Sequence, residues 1–163
     1  MAASVKIVEK NGALGTQTDK TSGSIRFKNA DDSTVDSNNR MIVPPSGYDY
    51  SYEKWLRLQV DVAASVDITN VRFYSDGGNG FGTGVTLWAK AVSSYSTPAE
   101  ATATTNYADA FTYTSAAPLS LGAGPYTGTG EKGDHCVLMM RVADTASPGT
   151  LSTETLTFAF DET

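Results

Sequence analysis

Residues 54–62, KWLRLQVDV, place Leu56, Leu58, Val60 and Val62 at every second position, with Trp55, Arg57, Gln59 and Asp61 between them. A β-strand turns successive side chains to opposite faces, so this spacing describes a strand with one apolar and one polar side. Other stretches repeat it. Residues 135–143, HCVLMMRVA, align Cys136, Leu138, Met140 and Val142; residues 154–161, ETLTFAFD, align Leu156, Phe158 and Phe160. VTLWAKAV at 85–92 aligns Val85, Leu87, Ala89 and Ala91. Each run leads into a loop carrying Gly, Ser, Thr or Asn, residues that favour turns over ladders.

Working outward, weaker strands are expected at 3–9, 25–28 and 111–114, with a brief extended piece near Leu119 and Leu121. The run at 66–75, VDITNVRFYS, changes phase between Ile68 and Val71, which predicts a bulge at Thr69–Asn70. Residues 50–62 read as one long strand after the double proline Pro44–Pro45, which forbids regular pairing. The one helix candidate, 93–110, offers Thr97 as a cap, Pro98 at the first position and Glu100 at the third. Its threonine content reduces it to a short turn at most. Seven or eight strands at this spacing predict an all-β fold: an antiparallel β-sandwich of jelly-roll or related Greek-key topology, because long connections interrupt the hairpins. Residues 1–24 form an N-terminal strand or arm and 25–163 a single sandwich domain. The segment NADDSTVDSNN at 29–39 reads as a long polar surface loop.

Composition removes several functions. The chain has 163 residues, a net charge of −6 and only 18% charged residues. Its Lys and Arg are scattered, so the basic stripe of a nucleic-acid binder is missing and no nucleic-acid partner is expected. Cys136 is the only cysteine, so no intrachain disulfide forms, and its place on an apolar face reads as a small core residue. The N-terminus lacks the apolar core of a signal peptide, and no run approaches the ~18 apolar residues of a membrane span. Synthesis in a cytoplasm and no membrane contact are the expectations.

The usual chemical equipment is thin. His135 is the sole histidine and neighbours Cys136, but adjacent strand residues face opposite ways, so the two form no catalytic pair. His135 reads as a solvent-exposed structural residue. Zinc lacks ligands. Asp31, Asp76 and Asn79 are the candidates for calcium, though Asp, Asn and Gly in such loops serve turn geometry. Glu53, Asp61, Glu100 and Glu154 show no pairing a glycosidase would need. The glycine loop 76–84 lacks the Gly-Lys-Ser/Thr ending of a phosphate loop. No enzyme activity and no cofactor are expected. Aromatic residues remain: Tyr48, Tyr50, Tyr52, Trp55 and Trp88 sit near strand starts or opposite the Leu/Val faces. They are the candidate partner-interface residues, since Tyr and Trp are enriched at interfaces.

The last block, GDHCVLMMRVADTASPGTLSTETLTFAFDE at 133–162, joins a Gly-Asp turn, an alternating strand, an Ala-x-Pro-Gly connection and a closing Glu-Thr-Leu-Thr-Phe-x-Phe-Asp-Glu strand. It resembles the C-terminal part of virion structural proteins of tailed bacteriophages, and ITNVRFYSDG at 68–77 has the same character. The resemblance implies a capsid decoration (cement) protein on the virion surface. Such a protein binds the outer face of the major capsid protein lattice and bridges its subunits. A homotrimer is the favoured form, since closed symmetry suits a threefold lattice position. No functional residue of that family carries over, because no defined binding motif is matched. The alternatives are a carbohydrate-binding or receptor-binding β-sandwich, with Trp55 or Trp88 stacking on a glycan, and a tail or baseplate component.

Overall fold

The structure is a computed structural model, and it describes residues 1–63 and 65–163. Ten strands run in the order β1 (Ser4–Asn11), β2 (Thr16–Asp19), β3 (Tyr48–Tyr50), β4 (Lys54–Val62), β5 (Ile68–Ser75), β6 (Val85–Val92), β7 (Ala108–Asp109), β8 (Leu119–Gly122), β9 (Gly130–Ala143) and β10 (Leu156–Glu162). They form two antiparallel sheets. The larger has seven strands in the order β2-β1-β4-β9-β6-β7, with β3 beside β9; the smaller is β10-β5-β8. The expected sandwich is thus the observed one.

From β4 onward the chain changes sheet repeatedly, passing from β4 to β5, back to β6, out to β8, back to β9 and out to β10. That interleaving explains the long connections in the sequence, because each must cross between layers rather than turn a hairpin. The apolar positions read from period two meet in the middle. Leu56, Leu58 and Val60 of β4, Leu87 of β6 and Cys136, Leu138 and Met140 of β9 face Val71 and Phe73 of β5 and Leu121 of β8. Phe73 packs edge-on against Phe158 of β10, with ring centroids 5.6 Å apart. Burial pushes the Cys136 thiol pKa well up, which keeps it a neutral core residue.

Several local expectations hold. The register of β5 against β10 shifts between Ala159 and Asp161, and Asn70 adopts a positive φ of 50°, so the bulge lies where the phase change put it. The long strand expected at 50–62 is nearly continuous: β3 and β4 pair with the same β9, interrupted at Ser51–Glu53. At the break the buried Ser51 keeps the ladder intact. Its amide donates to the Met140 carbonyl at 2.9 Å, and its hydroxyl accepts from the Met140 amide at 3.0 Å.

Others are corrected. Residues 25–28 make no strand beyond a single bridge between Lys28 and Arg40, and the FTYT segment begins as a single 3-10 turn at Ala110–Thr112. The helix candidate at 93–110 forms no α-helix: 93–107 is an irregular strap over the large sheet, where Pro98 is buried and the Glu53 amide donates to the Ala99 carbonyl, and it leads into β7. Strand β2 was not expected, because TQTD carries no apolar alternation. It pairs with the outer edge of β1 from Val8 to Asn11. Within residues 1–24, β1 pairs with β4 from Ser4 to Lys10, and Val8 and Glu9 are fully buried. Gly84 lies close against the β9–β10 connection. It has a φ of 80°, and a Cβ there would sit 2.7 Å from the Ala146 amide nitrogen.

Candidate functional site

Three of the five interface candidates meet on the outer face of the large sheet. Tyr50 lies opposite Arg141 on β9, and Thr86 lies opposite Arg141 from the other side. Tyr48 and Trp88 are two residues along from those positions, so all four side chains share one face. The Arg141 guanidinium lies 4.3 Å from the Tyr48 ring centroid and 5.1 Å from that of Trp88. Tyr48 and Tyr50 are tilted rings 6.2 Å apart. The Trp88 indole N–H donates to the Thr86 hydroxyl at 2.9 Å, which fixes its rotamer. Tyr48 is 52% exposed. The result is a cation held over two aromatic rings on a sheet surface open to solvent.

Trp55 is on the same face, as its parity requires, but only 3% exposed. Tyr95 and His135 pack edge-on around it, each with ring centroids 5.4 Å from the indole, and its N–H donates to Glu53 at 3.0 Å. It offers no surface to a partner. Tyr52 stands apart at the break between β3 and β4, half-buried, where its backbone bridges Glu100. Period two gave the face of each residue; it could not give the cover, because the strap at 93–107 is irregular and leaves no pattern.

His135 is likewise corrected. It is 1% exposed, not solvated. Nδ1 donates to the Val92 carbonyl at 3.2 Å, while Nε2 is buried without a protein partner. Burial and then the nearby Arg57 hold its pKa below the ordinary value of 6.5, so the ring is neutral. It faces away from Cys136, as the alternation demands.

Beside it lies a second polar group. Glu53 accepts from Lys90 at 3.0 Å, from Trp55 and from the Tyr107 hydroxyl. Burial pushes the Glu53 carboxyl up, but those three donors outweigh it and hold the pKa below the ordinary value. Burial and the Glu53 bond drive the Tyr107 phenol far up, so it stays a donor. This arrangement pins the strap to the sheet. It is a structural lock with every member engaged.

The calcium candidates are occupied with other work. Asp31 accepts from the Asn11 side chain and the Gly12 amide, each at 2.7 Å. Asp76 accepts from the Gly78 amide at 2.9 Å, and Asn79 ties the glycine loop to the Val85 carbonyl at 2.9 Å. Among the described residues no three His, Cys, Asp or Glu side chains converge as a metal site would need. The polar loop 29–39 instead covers Lys28, whose ammonium is fully buried and bonded to Asp32 and Asp36 at 2.7 Å each. Lys28 in turn holds both carboxylates below the usual range. Lys54 is buried against Glu9 at 2.9 Å and the Asp32 carbonyl at 2.6 Å. Sequence reading missed this corner. Its signal was the polar Glu9 and Lys54 at the ends of apolar alternations, in phase with Ile7 and Leu56.

A second surface lies between the sheets. On the β10 side they part to leave a cleft of about 1190 Å³, walled by the partly buried Ile25, Phe27, Met41 and Phe158. No helix among the described residues is long and apolar enough to cross a membrane. Comparisons of the chain with family models, with curated protein sequences and with solved structures return no match.

Proposed function

We propose that the chain is an adhesion domain that binds other polypeptides through the outer face of its large sheet. Its specific form is a capsid decoration (cement) protein on the outside of a tailed-phage head. The observation behind it is the cluster of Tyr48, Tyr50, Trp88 and Arg141 on a hydrogen-bonded sheet. Tyr, Trp and Arg are the residue types that carry most binding energy at protein interfaces. A sheet holds them in place before binding, so little order is lost on contact.

The phage assignment draws on the resemblance of residues 133–162 and on charge. A net charge of −6 is repelled by packaged DNA, which favours the outer capsid face. A cement protein does no chemistry; it adds contact area across subunit junctions. A trimer on threefold positions would engage several subunits at once and gain from effective concentration. Binding only the expanded lattice would then stabilise that lattice by mass action.

The same cluster bears on the carbohydrate alternative. A sugar needs a free aromatic face to stack on, and Arg141 covers one face of both Tyr48 and Trp88. Protein contact is therefore favoured over glycan stacking. The test is imaging of phage particles made with and without the protein, alongside Trp88→Ala and Tyr48→Ala variants. Loss of outer density at symmetric positions, with the variants released from particles, is the expected result. Full retention of the Trp88→Ala variant, or a glycan array that responds to the wild type, would sink it.

A further inference from the structure

The small sheet ends on the longest unpaired strand edge of the molecule, and that edge borders the cleft. Of the four strands that terminate the two sheets, β2 and β8 have four residues and β7 two, whereas β10 has seven. Natural sandwiches shorten such edges or place lysine or proline on them. LTFAFDE has neither; its charges lie only at the end, in Asp161 and Glu162.

Side-chain alternation locates the edge. Leu156 and Phe158 point inward and Thr157 points outward, yet all three line the cleft. A cavity that touches both faces of a strand must reach its edge. Across the cleft the chain at 24–27 and 41–43 lines the cavity and belongs to no strand. The two layers are unequal, with seven strands in one and three in the other.

Charge selects among occupants. Lys6, Lys20, Arg26 and Arg40 line the cleft against one acid, Glu154, on a chain whose net charge is −6. Lys6 is paired with Asp61 and Lys20 with Glu9. Arg26 and Arg40 are exposed and have no ion pair among the described residues. A small apolar ligand would leave both the backbone edge and these cations unused. The volume also lies above the ~300–1,000 Å³ of typical small-molecule sites.

We infer that β10 is a strand-addition site: an extended segment of another protein, apolar at alternate positions and acidic at one end, pairs with β10 and fills the cleft. Backbone hydrogen bonds to β10 give the affinity, and alternate side chains enter between the sheets. Arg26 and Arg40 fix which end of the segment goes where. At about 3.4 Å per residue, β10 offers pairing for a segment of six or seven residues. The inference rests on the reading of the chain as a polypeptide binder, but uses a surface separate from the Tyr48–Trp88 face.

The test uses the full chain and a ten-residue peptide alternating valine and threonine, with two aspartates at one end. Calorimetric titration is expected to give saturable one-to-one binding, and hydrogen exchange should slow in the β10 amides. The exposed double variant Arg26→Glu/Arg40→Glu should weaken the peptide roughly threefold to tenfold, and a peptide ending in two lysines should gain on it. Phe158→Asp, with folding checked by thermal unfolding, should abolish binding. Protection confined to the Tyr48–Trp88 face, equal affinity of both peptides for both proteins, or a co-purified fatty acid in the cleft would each overturn the inference. So would a dimer of the chain itself that protects β10. Loss of particle association by Trp88→Ala with peptide binding intact would separate the two surfaces. Peptide binding by a protein that never joins particles would leave this inference standing while the capsid assignment falls.

Discussion

Around Phe73, Leu87 and Leu138 the sandwich is closed by apolar side chains, whereas at the start of β4 it is closed by Glu9, Lys54 and Lys28. Both regions are equally buried: Leu87 and Lys54 are each 0% exposed. They differ in how burial is stabilised. The apolar region gains from area removed from water and tolerates any side chain of similar volume. The ionic corner survives only because each ammonium meets a carboxylate or carbonyl at 2.6–2.9 Å. A buried charge whose partner is removed is costly, while replacing a whole pair with apolar groups is often neutral. The corner therefore specifies how loop 29–39 docks more than it adds net stability.

The largest effect should come from breaking that corner from one side. Lys54→Met leaves Glu9 buried with only Lys20, at 3.7 Å, and the long Asn11 amide contact, at 3.4 Å, near it. It should cost about 3–5 kcal/mol in urea unfolding. Adding Glu9→Leu should recover most of that loss. If the double variant is as unstable as the single, the corner contributes stability of its own and the contrast with the apolar region disappears. Leu87→Ala, the apolar counterpart, should cost about 2–5 kcal/mol, with no rescue by a second substitution of this kind.

The same contrast explains what could be read from the sequence. Strands β4, β5, β6, β9 and β10 were legible because apolar residues recur with period two and the interior faces one way. Loop 29–39 was legible as polar but not as a cover, since Asp32 and Asp36 look identical whether they face water or Lys28. On the outer face, parity placed Trp55 and Trp88 together. Only the path of the strap decides that Trp55 is sealed under Tyr95 while Trp88 stays half-exposed. The interface candidates were thus visible as a face, and the burial of two of its aromatic rings, Trp55 and the imidazole of His135, was not.

The strap should respond to pH through His135. Its folded pKa lies below the unfolded value of 6.5, so the unfolded chain binds the proton more readily. Stability from this group is complete above pH 6.5 and falls as pH drops through the folded pKa. The carboxylates act in a lower window. Asp32, Glu53 and Glu131 have pKa values held below their ordinary 3.8 or 4.5, so their contribution is lost as pH falls below that range. Unfolding measured from pH 7.5 to 5 should show a decline that His135→Phe removes. Persistence of the decline in that variant would assign it elsewhere.

The smallest effect on folding should be at the exposed end of the outer face. Arg141 touches Tyr48 and Trp88 through cation–π contacts and makes no ion pair among the described residues. At a wet site such contacts contribute about 0.5–1 kcal/mol each, so Arg141→Ala should lower stability by about 1–2 kcal/mol at most. The same substitution should weaken association with particles by roughly thirtyfold or more, since hot-spot side chains contribute about 2 kcal/mol or above. The two numbers divide the outer face. A side chain whose removal harms folding as much as binding belongs with Trp55 under the strap; one whose removal harms binding alone belongs to the interface. Arg141 bridges both aromatic rings from β9, the strand at the centre of the large sheet, so the ratio of its two effects is the sharpest single measure of where packing ends and recognition begins.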